Sequence, residues 1–90
     1  MSSGTNTRHV WEDRFRKPTV DQLVAELGRS AQAAMTVLRE QLLSVPGAIE
    51  GVTWKGVPWR WTIEIKSEQA PDKAWAYLVP QPQQPLLVLP

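Results

Sequence analysis

The spacing of apolar residues along the chain changes near residue 47. Before Gly47, apolar residues recur every three or four positions, the spacing that lines one face of an α-helix. After Gly47, apolar and polar residues alternate, the spacing that lines one face of a β-strand. This order predicts an α+β fold in which two N-terminal helices pack on one face of an antiparallel meander of three or four strands.

The first helix is predicted to begin after Thr19. Thr19 and Gln22 fit a capping box, in which each side chain accepts a hydrogen bond from the backbone N–H of the other residue. Gly28 suits the left-handed residue that often follows the last turn of a helix. The apolar stripe between these two signals consists of Val20, Leu23, Val24 and Leu27.

A second and longer helix is predicted from Ala31 to about Ser44. Ser30 is the expected N-cap, because its hydroxyl can accept a hydrogen bond from the first turn. The helix should end before Pro46 and Gly47, since proline interrupts a helix and glycine favours turn conformations. Its apolar stripe consists of Ala31, Met35, Leu38, Leu42 and Val45.

Alternation of apolar and polar residues predicts a hairpin after the second helix. A four-residue loop would place Trp54 opposite Trp59. Val52 would then lie opposite Trp61, and all four side chains would share one face of the hairpin. The two strands are expected over residues 49–54 and 59–66.

The third strand, expected over residues 73–79, has two apolar faces. One face carries Trp75 and Tyr77, the other carries Ala76 and Leu78, and a register shift of one residue exchanges them. Because burying the larger area is more favourable, we expect the aromatic side chains to face the core. The alternative places the small alanines beneath the helices and leaves the aromatic residues on the open face.

The last segment of the chain, residues 80–90, combines four prolines with an apolar run. Proline has no N–H to donate to a neighbouring strand, so a strand over residues 85–89 belongs at the edge of the sheet. An apolar edge strand is prone to pair with another chain. We therefore expect that this edge is tucked against the sheet, pairs with a protein partner or a second copy, or is followed by further native sequence.

Composition bounds the size and the surroundings of the fold. The 90 residues suit one domain, since domains typically have roughly 100–150 residues. Residues 1–10 are polar and predict a flexible tail, which leaves residues 11–90 for the domain. The chain has no cysteine, no apolar signal segment and no run long enough to span a membrane. These features predict a cytoplasmic protein without a membrane partner.

Few residues could carry catalysis or bind a metal. The single histidine, His9, lies in the predicted tail, and no group of metal ligands has a suitable spacing. The Gly-rich loops that bind phosphate are absent. Glu64 has Lys66 on the same side of its strand, so we expect an exposed ion pair rather than a catalytic acid. The sequence predicts no enzyme activity, no catalytic residue, no metal site and no cofactor.

The five tryptophans are the least ordinary feature of the composition. Trp59, Arg60 and Trp61 resemble part of a surface for single-stranded nucleic acid, where bases stack on aromatic rings. However, the net charge is only +1 and the pI is near 8.2, whereas nucleic-acid-binding domains usually have a pI above about 9. Alternation also sends the tryptophans and the basic residues to opposite faces, so we expect a tryptophan-rich core and no nucleic-acid partner.

Several short patterns occur in an order that resembles small bacterial YdhG-like α+β domains and a related domain family of unknown function. The patterns are RKPTVDQL at 16–23, PG at 46–47, WKG at 54–56, WRW at 59–61 and KAWAYLVP at 73–80. The resemblance spans residues 15–89 and implies the same α+β fold. Members usually have a further helix after the last strand, and they bring no established activity or functional residues.

Two functions therefore follow from the sequence. The first is a non-enzymatic interaction or self-association module that uses its sheet face or the C-terminal edge strand, most simply to form a homodimer. The alternative is a small-ligand domain with an aromatic pocket between the helices and the sheet. The residues expected to bind that ligand are Trp54, Trp59, Trp61, Trp75 and Tyr77.

Overall fold

The computed structural model describes residues 9–89 and contains two α-helices and one sheet. The strands form a four-stranded antiparallel sheet in chain order, which confirms the predicted α+β class and meander. Of the predicted tail, residues 1–8 lie outside the described part of the chain. The elements are a 3-10 turn (Val10–Glu12), α1 (Val20–Ala25), α2 (Arg29–Leu43), β1 (Ala48–Trp54), β2 (Trp61–Ser67), β3 (Ala70–Val79) and β4 (Leu86–Val88).

The predicted capping box begins α1. The Thr19 hydroxyl accepts a hydrogen bond from the Gln22 backbone at 3.1 Å, and the Gln22 side chain accepts one from the Thr19 backbone at 2.9 Å. The helix ends at Ala25, so Leu27 lies beyond it, yet Leu27 is still buried with the core residues. The apolar spacing therefore predicts the burial of Leu27 correctly, although the helix ends before this residue.

The connection between the two helices differs from the prediction. Gly28 is not a left-handed closing residue: its φ of −64° and ψ of 163° make it the N-cap of α2, and Ser30 lies inside that helix. The Gln32 side chain explains the difference, because its amide donates to the carbonyls of Leu27 at 2.8 Å and Ala25 at 3.3 Å. These bonds satisfy carbonyls at the end of α1. In a left-handed glycine cap, backbone N–H groups that follow the helix would donate to such carbonyls instead.

The register of the β1–β2 hairpin is shifted by two residues from the predicted one. Trp54 pairs with Trp61 and Val52 with Ile63, so the loop spans residues 55–60 and Trp59 lies within it. Because side chains alternate with a period of two, this shift keeps Trp54, Val52 and Trp61 on one face. The prediction was wrong about the pairing partner and correct about the face of these three side chains.

The expectation that both aromatic residues of β3 face the core is wrong for Tyr77, whereas Trp75 is half-buried and packs against the core. Leu78 pairs with Ile63 and Ala76 with Ile65, and all four are fully buried. Tyr77 pairs with Glu64 and therefore faces the other side, whereas Trp75 lies where the register between β2 and β3 shifts. Buried helix side chains such as Met35 contribute volume to this core, so the strand can present small residues there.

A bidentate ion pair connects α2 to the sheet. The Arg39 guanidinium donates to both oxygens of Glu50, at 2.7 and 2.8 Å. Hydrogen bonding to Glu50 raises the pKa of Arg39 above its ordinary value, and burial only partly opposes this effect. Glu50 lies on β1 and pairs with Ile65 of β2, so this ion pair joins α2 to the first strand of the sheet.

The expected ion pair is present, because the Lys66 ammonium lies 3.3 Å from the Glu64 carboxylate, but both side chains are half-buried rather than exposed. No helix within residues 9–89 is long and apolar enough to cross a membrane. The buried hydrophobic core combines residues of the N-terminal turn, of both helices and their connection, and of the strands β2 and β3. Its buried members are Trp11, Leu23, Leu27, Met35, Trp61, Ile63, Ile65, Ala76, Leu78 and Val79.

Replacement of Gly28 should stabilise the protein. Gly28→Ser should raise the free energy of unfolding by about 0.5–1 kcal/mol, because serine caps the helix and loses less backbone entropy on folding. A Cβ added at this position meets no atom within 4 Å. Urea unfolding measures the change. As a control, Gly47→Ser should destabilise, since Gly47 has a φ of +80°; equal effects of the two substitutions would contradict this account.

Truncation of the central tryptophan should unfold much of the domain. Trp61 is only 7% exposed, so Trp61→Ala should lower the free energy of unfolding by about 3–5 kcal/mol. Thermal unfolding followed by circular dichroism measures this loss. Phe15→Ala is the matched aromatic control and should change little, because Phe15 is 85% exposed. A Trp61→Ala protein with the same melting temperature as the wild type would show that the ring lies outside the core.

Candidate functional site

The segment before α1, residues 9–15, is fixed to the rest of the fold by one carboxylate; we call it the arm. Glu26 accepts hydrogen bonds from the backbone of Val10 at 2.8 Å and of Trp11 at 3.3 Å. The His9 Nδ1 atom lies 3.3 Å from the same carboxylate. Glu26 thereby satisfies backbone donors at the start of the 3-10 turn, where a helical segment has no internal acceptors.

Two indole groups fix the other side of the arm. The Trp11 indole N–H donates to the Trp59 carbonyl at 2.9 Å, and the Trp61 indole N–H donates to the Asp13 carbonyl at 2.6 Å. Each bond joins residues that are 48 positions apart in the chain. The arm therefore lies beside the β1–β2 loop, and both indole donors have acceptors although their rings are buried.

The β1–β2 loop, residues 55–60, folds back on itself. The Lys55 backbone N–H donates to the Arg60 carbonyl at 2.9 Å, and the Arg60 N–H donates to the Gly56 carbonyl. Gly56 has a φ of 78° and Arg60 a φ of 58°. The left-handed conformation is ordinary for glycine and unfavourable for arginine. The Arg60 guanidinium lies 5.3 Å from the centre of the Trp11 ring, a cation–π contact that connects loop and arm.

A cleft of about 460 Å³ lies between the arm and this loop; we call it the arm–loop cleft. Phe15 and Val57 at its rim are 85% and 72% exposed. The Arg14 guanidinium lies 5.3 Å from the centre of the Phe15 ring. The cleft thus combines apolar surface with two guanidinium groups. Its lining residues are Glu12, Arg14, Phe15, Trp54, Gly56, Val57 and Arg60.

The five residues predicted to bind a ligand do not meet in one pocket. Trp54 and Trp61 form an edge-to-face pair at 5.4 Å on the core face. Trp59 and Tyr77 form a second pair at 5.5 Å on the other side of the sheet, where the Lys55 ammonium lies 4.8 Å from the Tyr77 ring. Trp75 belongs to neither pair. Of the five, Trp54 alone lines one of the described clefts.

A second candidate surface lies at the edge strand β4. Leu86, Leu87 and Leu89 are 40%, 43% and 65% exposed, and among residues 9–89 β4 pairs only with β3. An apolar groove of about 230 Å³ separates this strand from α2; we call it the β4 groove. Its lining residues are Ala31, Ala34, Met35, Leu38, Leu78, Pro85, Leu86 and Leu87.

Comparison of the chain with models of protein families, with curated proteins and with solved structures gives no match. The resemblance to YdhG-like domains therefore stays a prediction from short patterns. Within residues 9–89, no three histidine, aspartate or glutamate side chains form a group that could hold a metal ion. The geometry and charge of the arm–loop cleft and of the β4 edge are therefore the features that bear on function.

Removal of the Glu26 carboxylate should loosen the start of the arm at Val10 and Trp11. In Glu26→Ala, protection of the Val10 and Trp11 amides against hydrogen exchange should fall by about tenfold or more, because buried donors lose a charged acceptor. Amide exchange followed by NMR measures this protection. Glu40→Ala is the control, since Glu40 is an exposed carboxylate on α2 and should leave both amides protected. Unchanged exchange in Glu26→Ala would mean that other contacts hold the arm.

Proposed function

We propose that this chain is a non-enzymatic self-association module in which the β4 strands of two copies pair at the sheet edge. The observation that carries the proposal is the exposed leucine surface of β4. The proposal takes both helices to cover one face of the sheet, as the sequence predicts. Contacts of α2 with Glu50 and with the β4 groove support that arrangement.

The composition of the edge favours pairing with another strand. Edge strands carry backbone N–H and C=O groups without a neighbour, and monomeric proteins commonly protect them with charged residues, especially lysine. Residues 74–90 contain no charged side chain. Pro85 precedes β4 and does not interrupt it, which leaves the backbone donors of the strand intact.

A second copy is the occupant that suits this edge. A two-fold interface brings the same residues together from both subunits, so the surface must be complementary to itself. A charged edge would repel its own copy, whereas an uncharged leucine edge does not. Two four-stranded sheets would then join into one continuous antiparallel sheet.

The β4 groove provides apolar surface for the second copy. A strand that pairs with β4 would lie about 4.8 Å from it, beside the groove. Ala31 and Ala34 of α2 are small, and they leave space that a leucine of the partner strand could occupy. Because β4 has only three residues, the paired segment is short, and we expect reversible association.

Association and its interface can be tested together by analytical ultracentrifugation over a range of micromolar concentrations. We expect the wild type to dimerise and Leu87→Lys to remain monomeric, because a buried unpaired ammonium strongly disfavours the interface. Val37→Lys is the matched control, since Val37 is 52% exposed on α2, and this variant should dimerise. Circular dichroism verifies that each variant is folded.

Two results would contradict the proposal. One is a wild type that remains monomeric up to its solubility limit. The other is loss of association in Ile49→Lys with no change in Leu87→Lys. Ile49 is 39% exposed on β1, the opposite edge of the sheet, so this outcome would place the interface at β1 instead of β4.

A further inference from the structure

We propose that the arm–loop cleft binds a small organic monoanion with a flat aromatic ring, whose carboxylate is held by Arg14 and Arg60. This proposal is independent of self-association through β4. It concerns a different part of the chain, and its ligand chemistry is different from that of the β4 groove.

The apolar part of the cleft is suited to a ring. Trp54 provides a half-buried aromatic surface, and Phe15 and Val57 are largely exposed beside it. Because all three side chains line the same cleft, their apolar surface forms one patch rather than isolated exposed residues, and such patches mark binding sites. A flat ring bound against them would remove apolar surface from water on both sides of the contact.

The charged part of the cleft is suited to an anion. Neither Arg14 nor Arg60 has a carboxylate within ion-pair distance among residues 9–89. Glu12 also lines the cleft, so two positive charges and one negative charge leave a net charge of +1. A ligand with one negative charge neutralises that excess. Guanidinium groups bind carboxylates with two parallel hydrogen bonds, which makes a carboxylate a suitable anionic group.

The conformation of Arg60 is a further indication. Glycine or asparagine would adopt its φ of 58° more easily than arginine does. Unfavourable backbone conformations of this kind are concentrated at binding sites, where the side chain is needed at that position. The contact with the Trp11 ring holds the guanidinium at the cleft.

The walls of the cleft are fixed before a ligand binds. The hydrogen bonds from Trp11 to Trp59 and from Trp61 to Asp13 connect arm, loop and sheet. Binding would therefore not have to order either segment, which lowers its entropic cost.

The proposal can be tested by NMR titration with 2-naphthoate. We expect concentration-dependent shifts of the Gly56 and Val57 amides and of the Trp54 indole N–H, which Trp54→Phe identifies. The neutral analogue 2-naphthamide should bind at least about tenfold more weakly, because hydrogen bonds to a charged group are the stronger ones.

Three variants separate the cleft from the rest of the surface. Arg14→Gln and Arg60→Gly should each weaken naphthoate binding by about tenfold. Glycine is favoured at the φ of residue 60, so the second variant should retain its fold. Arg29→Gln removes an exposed arginine at the start of α2 and should bind like the wild type.

The proposal is overturned if naphthamide binds as tightly as naphthoate, or if the arginine variants bind normally. Shifts confined to Met35 and Leu87 would assign the ring to the β4 groove and would also overturn it. Leu87→Lys should bind naphthoate like the wild type, so failure of self-association and failure of ligand binding remain distinguishable.

Discussion

The buried indole of Trp61 connects the two parts of this small structure. Its ring lies in the core beside Trp54, and its N–H donates to the Asp13 carbonyl of the arm at 2.6 Å. A domain of this size buries little hydrophobic area, so the large ring of Trp61 contributes strongly to stability. Its N–H also holds the arm in position. The core and the arm–loop cleft therefore depend on the same residue.

Apolar periodicity predicted burial better than it predicted pairing. Spacing alone predicts the helix stripes, except for Val45, which lies beyond α2 and is 45% exposed. It also predicts the shared face of Val52, Trp54 and Trp61. Spacing does not predict the hairpin register, because a two-residue shift leaves every side chain on the same face. The orientation of β3 could not be predicted from the sequence either, since both of its faces are apolar and spacing does not distinguish them.

The candidate site was less predictable than the fold. Trp54 was among the expected ligand residues, but Arg14, Phe15 and Arg60 were not. These residues lie close together because two indole hydrogen bonds join residues 48 positions apart in the chain. The left-handed backbone conformation of Arg60 in the loop also contributes. Neither feature has a local sequence signal, because arginine in a loop is ordinary and a hydrogen bond to a backbone carbonyl does not depend on the acceptor residue.

Charge separates the two proposed functions physically. The arm and the β1–β2 loop carry charges of both signs, whereas residues 74–90 contain no charged side chain. Arg14, Lys55 and Arg60 outnumber Glu12 and Asp13 by one. Association through β4 would rest on apolar burial and backbone hydrogen bonds, which salt screens little. Anion binding at Arg14 and Arg60 takes place at an exposed rim, where ions at physiological concentration screen the attraction over about 8 Å. A ligand that neutralises the cleft has no electrostatic reason to change pairing of the uncharged edge, so the chain could carry both functions independently.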